Sequence, residues 1–422
     1  MTMKHVAFRP LLFLGLMLIM PNLASAQVRT GAEIFVDALA RGEFPQFRHK
    51  RIGLITNHTA QVNGKHLIDL LYASPDVTLT TLFGPEHGLR GLADAGAKVA
   101  DGRDPQTDLP VYSLYGANRK PTAEMLQNVE VLVFDIQDVG ARFYTYISTM
   151  ALAMQTAAEF KLPFVVLDRP NPVGGVQVAG FMLDPAYQSF VGQFAIPIQH
   201  GMTVGELAHM IRDERLMPRV ESLDLTVVTM DGWRRDMLWN ETGLPWIKTS
   251  PNIPDLETAL VYPGLCLVEG TAMSEGRGTY APFKTIGAPW ANGAALANTL
   301  NNRRLPGVRF EATRFTPQSI SGMSDRPKLQ GKPLQGVRLV ITNPKAFRAV
   351  ETGIHVLQAF YRQAPAAQKA AFLNKDWLAK LSGTSRLAAQ LTQGATPEQI
   401  IASWQAELNI FLQIRARHLL YL

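Results

Sequence analysis

The densest chemistry in this 422-residue chain falls in Leu82-Phe83-Gly84-Pro85-Glu86-His87-Gly88-Leu89-Arg90-Gly91. The β-branched run Val77 to Thr81 before it reads as a buried strand, which glycine and proline then break. Glu86, His87 and Arg90 bring an acid, an imidazole and a guanidinium into one short loop. A turn that only joins two elements needs none of them. Gly84, Gly88 and Gly91 permit backbone angles closed to other residues, so the loop can close tightly round a ligand. Such a set suits proton transfer and the binding of a polar substrate.

Three other short apolar runs end the same way. Arg51 to Thr56 leads to Asn57 and His58. Val129 to Phe134 leads to Asp135, Asp138, Arg142 and Tyr144, and Phe164 to Leu167 leads to Asp168, Arg169 and Asn171. Helical spacing separates these runs, as at Leu67, Leu70 and Leu71, which predicts a parallel α/β sheet. Ligands bind such sheets beyond the carboxyl ends of the strands, where all four polar loops would lie along one rim. Neither G-x-G-x-x-G nor G-x-x-x-x-G-K-[ST] occurs, so the expectation is a Rossmann-like fold with no dinucleotide and no cofactor.

Further candidates lie beyond the fourth run. His200 precedes a helix whose Thr203 and Glu206 have capping-box spacing. Trp233, Trp239 and Trp246 crowd a polar segment holding Asn252, as aromatic faces that stack on pyranose rings or cover an interdomain core. Glu269 closes an apolar run read as another strand end, and Glu275 and Arg277 follow in a glycine-rich loop. No H-E-x-x-H or G-x-S-x-G is present, so no metal site or serine nucleophile is expected.

The first residues follow the order of a secretory leader. Lys4 and Arg9 are basic, Leu11 to Met20 is apolar, and Ala24-Ser25-Ala26 is a small-residue cleavage site. The apolar run is shorter than the roughly 20 residues of a membrane span. Residues 1–26 are therefore expected to be removed on export to the periplasm, leaving no integral membrane segment. The formal charge of +6 falls to +4 without Lys4 and Arg9, and no basic block supports nucleic-acid binding. The only cysteine, Cys266, sits in an apolar run and reads as core. Length suggests two units, with a Rossmann-like domain over 27–290 and a C-terminal α/β subdomain over 291–422. In the second, Thr396 is expected to open one last helix whose apolar face runs from Ile400 to Ile414.

Carboxylates at several strand ends of an exported protein suit glycoside hydrolysis, with one acid and a second carboxylate. The runs from Gly53 to Thr59, Phe83 to Gly91, Asp135 to Tyr144, Asp168 to Pro172, Ser250 to Pro254 and Glu269 to Thr279 resemble the NamZ-type exo-β-N-acetylmuramidases. The resemblance covers nearly the whole chain after the leader. It implies removal of N-acetylmuramic acid from the non-reducing ends of peptidoglycan fragments, in a cleft between a Rossmann-like domain and a smaller one. On that reading Glu86 is the general acid, in an apolar loop expected to raise its pKa, with Asp138 or Asp135 as base or nucleophile and Glu275 in reserve. The sugar's acetamide could also serve as nucleophile. His87 and Asn171 would bind sugar hydroxyls or the acetamide. The lactyl carboxylate calls for an arginine, drawn from Arg90, Arg142, Arg169 and Arg277. The alternatives are a non-catalytic periplasmic protein that captures muropeptides or sugars and a metal-dependent amidase or esterase.

Overall fold

The computed structural model describes Thr2, residues 27–89 and residues 101–422. The expected leader (Thr2 aside), Arg90 and Gly91 lie outside the described residues. The central sheet contains β1 (Arg51–Thr56), β4 (Thr78–Gly84), β5 (Gly102–Arg103), β6 (Pro110–Ser113), β7 (Val131–Asp135), β8 (Phe164–Leu167) and β11 (Leu225–Val228). A small hairpin of β2 (Gln61–Val62) and β3 (Lys65–His66) follows β1. Its Asn63-Gly64 turn has positive φ at both residues, as a tight two-residue hairpin requires.

Across the sheet the order is β11-β8-β7-β1-β4-β6-β5, parallel except for the edge strand β5. The chain runs outward from β1 through β4 to β6, then returns to β7 and runs the other way. This is the doubly wound order, and the two halves part between β1 and β7. The strands are apolar on both faces because helices cover both. Ile52, Leu54, Val131, Val133, Val165 and Leu167 pack on one face with α1 (Gly31–Ala40) and α2 (Leu67–Tyr72). Their neighbours Ile55, Leu132, Phe134, Phe164 and Val166 face the other way, onto α3 (Tyr146–Phe160) and α4 (Val204–Asp213).

A second sheet, β12 (Thr285–Ala288), β14 (Leu334–Ile341) and β13 (Val308–Phe315), is antiparallel throughout. β9 (Ala179–Met182) and β10 (Pro197–Gln199) form a separate ribbon. On the second sheet packs α6 (Gly293–Asn301), while α5 (Leu256–Leu265) packs on α7 (Ala349–Gln363), which shorter helices follow. One apolar cluster runs from α3 and α4 through α5 and α7 to Trp404 and Phe411. Two expectations change here. The apolar run before Glu269 is the helix α5 with a 3-10 turn, not a strand. The last helix is two, Pro397–Ala402 and Gln405–Arg415, parted at Ser403 and Trp404 so that Trp404 is buried.

α5 and α7 cross at two glycines. A Cβ on Gly264 would lie 1.8 Å from the Ala349 carbonyl oxygen, and one on Gly353 would lie 2.4 Å from that of Gly264. Both obstacles are backbone, so Gly264→Ala must push the helices apart. We expect a loss of at least about 1–3 kcal/mol in urea unfolding. Wild-type stability in this variant would mean that the crossing is loose.

Candidate active site

The loop after β4 turns sharply. Gly88 N–H donates to the Pro85 carbonyl at 2.9 Å, and His87 and Gly88 both have positive φ, 70° and 72°. The left-handed region costs a non-glycine residue roughly 1–2 kcal/mol, so His87 is held there by its buried surroundings. This geometry presents Glu86 to the start of α3. Thr145 Oγ1 donates to Glu86 Oε2 at 2.6 Å, and the Tyr115 hydroxyl donates to the same carboxylate. Burial, reinforced by Glu86, raises the Tyr115 phenol above its ordinary value, so it stays a donor.

Tyr144 stands next to this pair. Its hydroxyl donates to Thr249 Oγ1 at 2.9 Å, and Tyr146 donates to the Thr249 carbonyl at 2.7 Å. Burial chiefly raises the Tyr144 phenol, and the charges of Asp138 and Glu86 add to it. One phenol therefore lies in the field of both carboxyl groups. On its other side Tyr144 meets Tyr262 edge-on at 5.7 Å, Tyr262 meets Phe283 at 4.9 Å, and Arg277 lies 5.1 Å over Phe283. This aromatic ladder joins the strand-end site to the glycine-rich loop. There Arg277 binds Glu269 at 2.7 Å and approaches Glu275 to 3.6 Å, while Lys328 binds Glu275 at 2.8 Å.

Burial pushes the Asp138 carboxyl up, to about 7. Its Oδ2 accepts from Gly140 N–H at 2.6 Å, and Oδ1 has no hydrogen-bond partner among the described residues. His200 Nδ1 accepts from Met202 N–H, so the neutral ring carries its proton on Nε2, 3.9 Å from Asp138 Oδ2. Burial pushes His200 down to about 3, with Arg415 and Arg142 adding to the effect. Gly140 is left-handed, and a Cβ there would lie 2.5 Å from the Asn171 side-chain oxygen. Asn171 is fixed by donating to the Met202 carbonyl at 3.0 Å and accepting from Val173 N–H.

The Asp138 value sets a signed pH effect. The folded state keeps this proton up to about pH 7, while the unfolded chain loses it near the ordinary 3.8. The folded state thus binds more protons between those values, and stability falls as pH rises through that window. Asp138→Asn removes the effect. Its stability relative to wild type should be greater at pH 8 than at pH 4 in urea titrations, and a constant difference would count against a proton on Asp138.

Several other strand-end residues fasten the fold. Arg169 donates to Asp135 through Nε and Nη2, and both side chains are buried. Asp168 accepts from Thr203 Oγ1 at 2.7 Å, Gly205 N–H at 2.8 Å and Tyr421 O–H at 2.5 Å. Arg142 donates to the carbonyls of Phe181, Ile196 and Leu381, each at 2.8 Å. Asn57 Oδ1 holds Thr59 through N–H and hydroxyl, and His58 Nε2 donates to the Lys248 carbonyl at 2.5 Å. Asn252 donates to the Met323 carbonyl at 2.7 Å. Sequence reasoning did not single out Thr145, Tyr146 or Thr249. The run Tyr144-Thr145-Tyr146 signals the first two, whereas Thr249 and Tyr115 carry no local pattern.

Comparison with known proteins bears on the same regions. The family models "Exo-beta-N-acetylmuramidase NamZ, N-terminal" and "C-terminal" match residues 52–257 and 260–421. The chain belongs to the NamZ exo-β-N-acetylmuramidase family. It is 46% identical over 397 residues to the peptidoglycan β-N-acetylmuramidase NamZ of Bacillus subtilis, covering 94% of this chain and 92% of that one. Two crystal structures of DUF1343 family proteins from Bacteroides fragilis have the same fold. One superposes with a TM-score of 0.85 at 37% identity and the other with 0.75 at 32%, each covering 94% of this chain and 99% of its own. The NamZ family models thus span the strand-end loops and the glycine-rich loop.

Proposed function

We propose that this protein is an exo-acting glycosidase that removes N-acetylmuramic acid from the non-reducing ends of β-1,4-linked peptidoglycan fragments. Family membership supports the activity. The observation that carries the assignment within the chain is the Glu86 carboxylate, held by Thr145 and Tyr115 where the sheet presents its strand ends. Glu86 delivers the proton to the leaving oxygen. Asp138 keeps its own proton up to about pH 7 before substrate binds. In a route in which the substrate's acetamide is the nucleophile, Asp138 gives up that proton. Its Oδ1, which has no hydrogen-bond partner among the described residues, then accepts from the acetamide N–H, where positive charge develops as the carbonyl oxygen attacks. Asp135, bound to Arg169, has no part in proton transfer. Arg142 and Arg169 are likewise occupied, and Arg277 is paired with Glu269 and Glu275, which leaves Arg90 of the four as the candidate for the lactyl carboxylate.

The basic, apolar and small-residue order of residues 1–26 supports export to the periplasm, where such fragments arise. The protein would act after endo-cleavage has exposed a muramic end. The deciding experiment incubates the mature chain with N-acetylmuramyl-β-1,4-N-acetylglucosamine, with and without a chelator. Release of free N-acetylmuramic acid in both is expected. Tight binding without release would make this a capture protein, and loss of activity in chelator would point to metal-assisted chemistry.

A further inference from the structure

A fifth strand end joins the four read from the sequence. β4 and β6 pair in parallel with Gly84 opposite Ser113, and Leu114 N–H donates to the Gly84 carbonyl at 2.8 Å. Glu86 and Tyr115 therefore each stand two residues beyond one register pair, as neighbours on the ligand-binding rim. Ser113 Oγ fastens the turn, donating to the Tyr115 carbonyl at 3.0 Å and accepting from the Tyr115 N–H at 3.2 Å. Arg119 follows four residues later in the same rim loop.

Arg119 is exposed, yet its guanidinium has a fixed seat. It lies 5.0 Å over the ring of Phe190, which is buried and stands 5.7 Å from the Tyr115 ring. Phe190 is pinned in turn, because Ser189 and Gly192 exchange two backbone hydrogen bonds of 3.0 Å around it. Such stacking lowers the entropy that a planar cation loses on meeting an anion. The next residue, Lys120, is paired with Glu159 at 3.4 Å. Arg119 has neither an ion pair nor a hydrogen bond among the described residues. Its charge reaches the Tyr115 phenol, where it opposes burial and Glu86.

We propose that Arg119 is a specificity-determining residue that binds the lactyl carboxylate of the terminal sugar, so that the site prefers a muramic residue to a neutral hexosamine. The inference rests on the hydrolase reading for the identity of its ligand. Proton delivery puts the glycosidic oxygen, on C1, against Glu86. The lactyl group hangs from O3, two ring carbons away, so its charge falls to one side of Glu86 rather than against it. Tyr115 and Phe190 set Arg119 apart from Glu86 in the same sense, along one rim. A planar guanidinium can meet both carboxylate oxygens. Arg142, Arg169 and Arg277 are committed elsewhere, so Arg119 is a further cation for this group beside Arg90.

The test compares the muramyl disaccharide with its lactyl amide, which keeps the shape and loses the charge. Release of the terminal sugar is followed in wild type, Arg119→Ala and Arg119→Lys, and binding by calorimetry with each combined with Glu86→Gln. Arg119→Ala should weaken the acid about ten- to hundredfold in Kd and KM, leaving kcat and the affinity for the amide unchanged. Arg119→Lys, a point charge without the fork, should restore part of the loss. Added salt should weaken binding of the acid, and much less so in Arg119→Ala, because the contact is exposed. Equal weakening of acid and amide, or no change in either, overturns the proposal. So does a protein with Arg119 intact that fails to favour the acid over the amide. Acid-selective binding through Arg119 without release would remove the hydrolase reading alone, and release indifferent to Arg119 would remove this proposal alone.

Discussion

Glu86→Gln should lower turnover of the muramyl disaccharide by about 10²–10⁴-fold, the usual contribution of a positioned general acid. The reasoning starts from what the substitution keeps. Glutamine has the same length, and its carbonyl oxygen can still accept from Thr145 or Tyr115, whose hydroxyls point at the native carboxylate. A hydroxyl can also turn and accept from the new amide nitrogen, so the loop between β4 and α3 retains its anchors. Only the exchangeable proton is lost. The variant should therefore unfold at the wild-type midpoint and bind substrate with little change, with the loss confined to kcat. A folded Glu86→Gln enzyme with full turnover would remove Glu86 from the mechanism and turn attention to Asp138, the other carboxyl that Tyr144 senses.

Much of this site was legible because strand ends announce themselves. An apolar run that stops at glycine, proline and charge marks both the strand and its rim, and four such runs fell where β1, β4, β7 and β8 end. The same rule misled at Glu269. An unbroken apolar run has no period to separate a buried strand from a buried helix, and α5 is apolar all round because α7 and the main cluster enclose it. Pairings distant in sequence were also hidden. Asp135 and Arg169 both looked ready for substrate, yet each satisfies the other across adjacent strands. Asp168 likewise looked like a site acid, but its partners include Tyr421 at the far end of the chain. Thr249 escaped notice because its role depends on two tyrosines more than a hundred residues away.

Arg142 is the sharpest instance, and it carries the second large effect. Its guanidinium is buried, and its three donated bonds reach Phe181, Ile196 and, beyond the second sheet in sequence, Leu381. Burial pushes its pKa down to about 9, so the charge is held at some cost and is still present at neutral pH. Arg142→Leu recovers that desolvation but leaves three buried carbonyls without this donor. The Ile196 carbonyl still accepts from Leu183 N–H. Each acceptor left without a partner costs about 1–3 kcal/mol, so the net loss should be on the order of 3 kcal/mol in urea unfolding. Arg142→Lys should lie between, because one ammonium cannot reproduce a planar fork aimed at separate acceptors. The loss should also loosen the turn before the short helix at Arg386, since Gly383 packs against this guanidinium. A substrate arginine would behave differently, with unchanged unfolding and a raised KM. That outcome would return Arg142 to the binding site and leave Leu381 to be held by its neighbours alone.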